Sequence, residues 1–176
     1  MFFFIDINVF ASSQANVVMD VESGRILYQN NANKSHLIAS TTKIMTALIV
    51  LENSDLDKNV LVGDEVLKMY GTNIYIEVGE RLSIRDLLYG LMLRSGNDAA
   101  ITLAVNVSGS EKKFVNLMNR KALGIGMKNT NFSNPHGLDE DTKNYSTASD
   151  MAKLARYAYK NPDFRKIIKT KKYKCK

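Results

Sequence analysis

The segment that most constrains this 176-residue chain is IASTTKIMTALIVLE, residues 38–52. Nearly every side chain from Ile44 to Leu51 is apolar, and a helix that is apolar almost all round belongs inside a domain. Ser40 and Lys43 stand at the start of this run. We therefore expect a buried helix from about Ser40, in which the lysine is either solvated through a gap in the packing or has a chemical task.

The composition is that of a folded globular protein, with 45% hydrophobic residues. The net charge of +6 is concentrated in residues 165–176, which hold seven Lys and Arg and no acidic residue, so it does not indicate nucleic-acid binding. This basic end is interpreted either as a solvated terminus or as a contact for an anionic polymer or lipid. The single cysteine, Cys175, and the two isolated histidines, His36 and His136, predict neither an internal disulfide nor a metal site, and no cofactor is expected.

Residues 1–15 are interpreted as the remnant of a signal peptide, followed by one domain over residues 16–176. The run is apolar and has a small residue, Ala11, suited to cleavage, but no Lys or Arg precedes Arg25. The alternative is a plain N-terminal strand. The run is too short to span a bilayer, so the sequence encodes no membrane association that we recognise.

The pattern along the chain predicts two strands followed mainly by helices. Asn16–Val21 and Arg25–Asn30 flank a turn at Gly24 and predict a β-hairpin. Short extended segments are expected at Val60–Val62 and Ile74–Ile76. Five further helices are expected: one capped by Ser83, one after a break at 95–97, one over 111–123 stopped by Gly124, one over 146–159, and one begun by Asn161 and Pro162.

Ser40 and Lys43 form an S-x-x-K pair, and residues three apart on a helix share one face. A serine hydroxyl is inert until a base takes its proton. Lysine can be that base if desolvation lowers its pKa, which an apolar helix provides. Free backbone N–H groups at the start of the helix would also suit a developing oxyanion.

The spacing alone is a weak signal, because Ser110 and Lys113 match it too. There we interpret the serine as the cap of a surface helix. A second polar element, Ser95-Gly96-Asn97, lies between two apolar helices, where it could face a cleft or simply form a turn. S-x-x-K followed by S-x-N is the pattern of a serine acyl-transfer enzyme.

These motifs stand within four longer stretches, IASTTKIMTAL, LLYGLMLRSGNDAA, NPHGLD and YSTASDMAKLAR. With them the sequence resembles the penicillin-binding D-alanyl-D-alanine carboxypeptidases over roughly residues 16 to 173. The resemblance implies an α+β fold of the penicillin-binding/β-lactamase-like serine peptidase type, with an N-terminal β-hairpin and a mostly helical subdomain. It also implies an extracytoplasmic location, at the cell wall or the outer face of the membrane.

The resemblance implies a role for each site residue. Ser40 would attack the carbonyl between the two D-alanines of a peptidoglycan pentapeptide, with Lys43 as general base. Ser95 would relay a proton to the leaving amine, and Asn97 would hydrogen-bond the substrate carbonyl and Lys43. β-Lactam antibiotics would trap Ser40 in the same way, as inhibitors.

One family motif, K-T-G, has no counterpart in this sequence. Lys169-Thr170-Lys171 is the nearest string, and it lacks the glycine. The resemblance implies that the strand carrying K-T-G supplies a cation for the substrate carboxylate and one of two oxyanion N–H donors. We therefore expect a truncated catalytic domain whose sheet lacks its C-terminal strands, and poor catalysis by the chain as given.

Three alternatives remain open. A class A β-lactamase would need Glu-x-x-Leu-Asn, whereas Glu140 and Asn144 have Lys143 in the place of the leucine. A Ser-His-Asp hydrolase using His136 would need G-x-S-x-G, which the sequence lacks. The third is an inactive remnant that at most binds wall peptide or β-lactam weakly.

Overall fold

A computed structural model describes residues 14–175, so the predicted signal-peptide remnant lies almost wholly outside the described residues. Within them, helices and short antiparallel strand pairs form the expected α+β architecture. The strands are β1 (Asn16–Met19), β2 (Ile26–Asn30), β3 (Ser35–Leu37), β4 (Asn59–Leu61), β5 (Arg81–Ser83) and β6 (Tyr145–Thr147). The α-helices are α1 (Lys43–Asn53), α2 (Ile84–Arg94), α3 (Asn97–Ser108), α4 (Glu111–Gly124), α5 (Ala148–Tyr159) and α6 (Pro162–Lys169). Within residues 14–175, none of these helices is both long and apolar enough to cross a membrane.

The predicted hairpin is confirmed. β1 and β2 pair antiparallel, with Asn16 opposite Asn30, and Gly24 adopts a φ of 76° in the turn between them. Arg156 of α5 holds this turn, because its guanidinium donates to the carbonyl oxygens of Val21 and Glu22 at 2.8 and 2.7 Å. The hairpin is thereby fixed to the helical part of the molecule.

The apolar helix predicted after Ser40 is the centre of the fold. α1 packs against the other five helices named above, and Met45, Leu48 and Ile49 are at most 1% exposed. Burial of each such side chain contributes about 1.5–3 kcal/mol. A single core therefore surrounds α1 and fixes where its first residues lie.

The strand predicted at Ile74–Ile76 is wrong. β4 pairs instead with β5, and residues 74–76 form a loop in which Tyr75 adopts a φ of 62°. The backbone N–H groups of Ile74 and Ile76 donate to the Asp98 carboxylate at 3.1 and 3.2 Å. A carboxylate thus satisfies amides that a strand would have offered to a neighbouring strand.

The predicted helix starts are confirmed at Ser83 and Asn161, whose side chains accept backbone N–H groups of the first turn of α2 and α6. The predicted helix over residues 111–123 is confirmed to within one residue at its end. Gly124 is the last residue of α4, and the chain turns at Gly126, which has a φ of 81°. The left-handed conformation of Gly126 then turns the chain away from the helix axis.

The basic end is not wholly solvated. The Tyr173 ring stacks on Tyr89 of α2 with 3.7 Å between ring centroids, and its hydroxyl donates to Asp86 at 2.8 Å. Burial, followed by this bond to the Asp86 carboxylate, raises the pKa of Tyr173. Residues after α6 therefore return along α2 as far as Tyr173.

Candidate active site

Ser40 lies in a single turn of 3₁₀-helix, Ala39–Thr42, and α1 begins only at Lys43. The sequence-based expectation of an α-helix from Ser40 is corrected here. A 3₁₀ turn has about 3.0 residues per turn, so side chains three apart eclipse each other. Ser40 is exposed while Lys43 is only 3% exposed, and Lys43 Nζ lies 3.4 Å from Ser40 Oγ.

Two oxygens hold the Lys43 amine from its other sides. Nζ donates to Asn97 Oδ1 at 2.7 Å and to the carbonyl oxygen of His136 at 2.6 Å. A neutral amine has two N–H groups and one lone pair. With both N–H groups used on these oxygens, the lone pair is left to face the Ser40 hydroxyl, which can then donate its proton to nitrogen.

Burial supplies the neutral form of this amine. Desolvation lowers the pKa of Lys43 from 10.5 to about 8, and the charge of Asp98 opposes the shift. About one lysine in ten is then uncharged at pH 7. The exposed hydroxyl therefore stands beside a base that is partly available at neutral pH.

Asn97 and Asp98 begin α3 and hold the loop over residues 70–76. Asn97 donates from its backbone N–H to Thr72 O at 2.8 Å and from Nδ2 to Tyr70 O at 2.7 Å. Asp98, which is 3% exposed, accepts N–H groups of that loop through its carboxylate. The Asn97 side chain thus joins Lys43 to a loop at the edge of the site.

The Peptidase S11 model, described as D-alanyl-D-alanine carboxypeptidase, matches residues 8–176. The chain belongs to this family of D-alanyl-D-alanine carboxypeptidases. It is 38% identical over 163 residues to the carboxypeptidase DacF of Bacillus subtilis, an alignment covering 90% of this chain and 42% of DacF.

Solved structures of carboxypeptidases share the fold. That of DacD from Francisella tularensis superposes with a TM-score of 0.86 at 37% identity, covering 94% of this chain and 41% of that one. A Mycobacterium tuberculosis carboxypeptidase gives 0.84 at 35% identity, covering 88% and 58%. The penicillin-binding fold predicted from the motifs is confirmed, and the chain spans about two fifths to three fifths of the length of these relatives.

Ser95 is the remaining predicted site residue. It follows the last residue of α2 as the C-cap and adopts the left-handed conformation, with a φ of 57°. Within residues 14–175 its hydroxyl makes no hydrogen bond to Ser40 or Lys43. The structure therefore links Lys43 directly to Ser40 and Asn97, and gives Ser95 no such link. Its role as a proton relay stays a prediction.

Sequence reasoning missed the loop of the NPHGLD stretch, which supplies a backbone carbonyl and no side chain to Lys43. The His136 ring is engaged elsewhere, since Nδ1 accepts the Leu138 N–H at 3.1 Å and Nε2 lies 3.7 Å from Glu111. Asn144 is also structural: its Nδ2 donates to Thr42 Oγ1 at 2.9 Å. Asn144, one of the two residues that the β-lactamase alternative named, is thus hydrogen-bonded to the residue that precedes Lys43.

The second S-x-x-K match behaves as predicted. Ser110 caps α4, its side chain accepting the backbone N–H of Lys113 at 3.3 Å. The Lys113 side chain is exposed. This serine has no buried amine beside it and offers no comparable chemistry.

Proposed function

We propose that this chain carries the acylating residues of a serine-type D-Ala-D-Ala carboxypeptidase. The enzyme would remove the terminal D-alanine from peptidoglycan pentapeptides through an acyl-enzyme on Ser40. The observation that carries the proposal is the Lys43 amine, which is buried, donates to Asn97 Oδ1 and His136 O, and lies 3.4 Å from Ser40 Oγ.

In the acylation step, Ser40 Oγ forms a bond to the carbonyl carbon between the two D-alanines while its proton passes to Lys43 Nζ. The tetrahedral intermediate then breaks its C–N bond, and the amine of the departing D-alanine takes a proton. Lys43 supplies that proton, with Ser95 as the proposed relay. Water afterwards hydrolyses the ester and restores the Ser40 hydroxyl.

Asn97 is proposed to orient the substrate. Its Oδ1 holds Lys43, and one of its two Nδ2 hydrogens is used on Tyr70 O. Within residues 14–175 no second acceptor for Nδ2 is found, and we propose that its other hydrogen serves the carbonyl of a bound peptide. A β-lactam would place its ring carbonyl at the same point, and opening of the ring would leave a stable ester on Ser40.

The proposed substrate fixes the proposed location. Peptidoglycan lies outside the cytoplasmic membrane, so we place the enzyme there as a secreted protein acting in cell-wall and cell-shape maintenance. Residues 1–15 would then belong to an export signal, and residues 16–176 to the catalytic domain. No nucleic acid, metal or cofactor enters this proposal.

A second candidate is weak binding of wall peptide or β-lactam without turnover. It is favoured by the position of Lys169-Thr170-Lys171, the string nearest to K-T-G. Lys169 ends α6 and the next two residues follow it outside any strand, so this string is not the strand-borne cation that the family uses. Binding without efficient acylation would follow if nothing else supplied that cation.

The test is fluorescent-penicillin labelling together with D-alanine release from diacetyl-Lys-D-Ala-D-Ala. Both are measured on the 176-residue chain and on a chimera in which the part of DacF beyond the matched region follows residue 176. Labelling and D-alanine release by the chimera, both lost in its Ser40→Ala variant, would support the carboxypeptidase. Reversible binding without a covalent label in either protein would favour the second candidate.

A further inference from the structure

The loop over residues 133–144, which we call the clamp loop, contacts the segment that carries Ser40 and Lys43 at successive points. At one end, the Ile38 N–H donates to the carbonyl of Asn144 at 3.3 Å. At the other, Thr46 Oγ1 donates to Pro135 O at 2.6 Å. Between them lies the 2.6 Å bond from Lys43 to the His136 carbonyl. The clamp loop therefore holds both sides of the nucleophile and the base itself.

Gly137 makes the closest approach of the two segments. A Cβ at this position would lie 2.1 Å from the carbonyl oxygen of Ala39 and 3.0 Å from the backbone nitrogen of Ser40. Gly137 also has a φ of 91°, and Ala39, immediately before the nucleophile, has a φ of 44°. Only a glycine fits this contact, because any side chain would displace the backbone of Ala39 and Ser40 or the loop itself.

The clamp loop is internally rigid where it touches Ser40. Asn134 has no exposed surface, and its Oδ1 accepts the Gly137 N–H at 2.6 Å while its Nδ2 donates to Leu138 O at 2.7 Å. Asn144 accepts the Ser133 N–H at 2.6 Å and donates to Asn134 O at 3.0 Å. Two buried asparagines thus fix the shape of the loop, so that a shift at Gly137 moves the His136 carbonyl with it.

We propose that the clamp loop is the element that positions Ser40 against Lys43, and that Gly137 is the positioning residue that sets its distance from the nucleophile. The inference deepens the proposed function and rests on it, since it takes Ser40 and Lys43 as the acylating pair. Gly137 acts through the backbone of Ala39 and Ser40 on one side and through His136 on the other. It touches no substrate.

The first test compares Gly137→Ala with Gly79→Ala in the 176-residue chain. Gly79 has a φ of 92°, almost that of Gly137, yet a Cβ there would meet nothing within 4 Å. Both substitutions therefore place an alanine at nearly the same positive φ, and they differ in the contact with Ala39 and Ser40. NMR titration of the lysine Cε signals reports the pKa of Lys43, whose signal is assigned by its absence in Lys43→Arg.

Gly137→Ala should raise the pKa of Lys43 by about one unit, because a displaced loop admits water to an amine whose pKa is lowered mainly by burial. That shift leaves about tenfold less neutral amine at pH 7. Gly79→Ala should leave the pKa of Lys43 unchanged while destabilising the fold. Equal pKa values of Lys43 in the parent, Gly137→Ala and Gly79→Ala would overturn the proposal.

A second test compares two milder variants, each of which loses one hydroxyl group. These variants should fold even if Gly137→Ala does not. Thr46→Val deletes the donor to Pro135 O, while Thr102→Val deletes a buried hydroxyl that, in the described part of the chain, has no hydrogen-bond partner. Thr46→Val should raise the pKa of Lys43 in the same direction by a smaller amount, and Thr102→Val should not. If Thr46→Val and Thr102→Val give the same pKa as the parent, the clamp loop does not control Lys43.

The titration separates this proposal from the proposed function, because it needs no catalysis. If the pKa of Lys43 changes as predicted but penicillin does not label the chimera, the proposed function is wrong and the proposed role of the clamp loop is supported. If penicillin labels the chimera but neither pair of variants changes the pKa of Lys43, the proposed function is supported and the proposed role of the clamp loop is wrong.

Discussion

The pair Ser40 and Lys43 and the pair Ser110 and Lys113 share one spacing and differ in everything else. Ser40 is exposed beside an amine that is 3% exposed, whereas Ser110 is bonded to backbone and Lys113 is exposed. In the first pair the side chains approach each other; in the second the serine side chain caps a helix. Spacing places a lysine within reach of a serine in both pairs. Burial of Lys43 lowers the pKa of its amine, as its proposed role as a base requires.

The two pairs also differ in the residues that surround the lysine. The two oxygens that hold Lys43 come from Asn97 and His136, which lie 54 and 93 residues away in the chain. No local motif could supply them. The proposed reactive pair is therefore a product of the tertiary fold, while the capping pair needs only its own helix.

The largest expected contrast is between Lys43→Arg and Lys113→Arg. An arginine keeps the charge but does not release a proton in proteins, so Lys43→Arg should slow penicillin acylation of the chimera by about 100- to 10,000-fold. Lys113→Arg should leave the rate unchanged. Rates of fluorescent-penicillin labelling measure both, and acylation by Lys43→Arg at the parent rate would show that Lys43 is not the base.

The second contrast is in stability against pH. The pKa of Lys43 is about 8 in the folded protein and 10.5 ordinarily, so between these values the unfolded chain binds the extra proton. Stability due to Lys43 is therefore complete above pH 10.5 and is lost as the pH falls to about 8, by up to about 3 kcal/mol.

Urea unfolding at a series of pH values tests this, with the difference between the parent and Lys43→Met isolating the lysine. Lys113→Met is the matched control and should follow the parent, because the Lys113 side chain is exposed in the fold. A Lys43→Met curve parallel to the parent between pH 8 and 10.5 would show that Lys43 has its ordinary pKa in the fold.

The smallest expected contrast is in stability, where Ser110 should matter more than Ser40. Ser110→Ala should destabilise the protein by about 1 kcal/mol, because it removes the cap of α4. Ser40→Ala should cost less than about 0.5 kcal/mol, since its hydroxyl caps no helix. Urea midpoints decide this, and a larger loss of stability in Ser40→Ala than in Ser110→Ala would mean that the first serine is structural.

Much of this architecture is predictable from local pattern. The hairpin follows from two short runs around Gly24, the burial of α1 from its apolar residues, and the helix starts from Ser83 and Asn161. Each of these depends on residues within a few positions of one another. The prediction of a strand at Ile74–Ile76 failed because the carboxylate of Asp98, which is distant in the sequence, accepts the backbone N–H groups of this segment.

In the candidate site, the sequence could predict the reactive side chains but not the backbone and packing contacts around them. Ser40, Lys43 and Asn97 carry recognisable chemistry, but the His136 contact uses a backbone carbonyl, which every residue has. Asn144 reaches Thr42 across 102 residues, and Gly137 matters through the absence of a side chain. Such contacts are set by how the loop packs and leave no residue type in the sequence to reveal them.

The central claim is that burial, and not spacing, selects the reactive serine, and mapping the acylated residue tests it most directly. The chimera is treated with penicillin, digested, and its peptides are analysed by mass spectrometry. The account predicts the penicilloyl adduct on the peptide that contains Ser40 and an unmodified peptide around Ser110. An adduct on Ser110, or undiminished labelling of the Ser40→Ala protein, would contradict it.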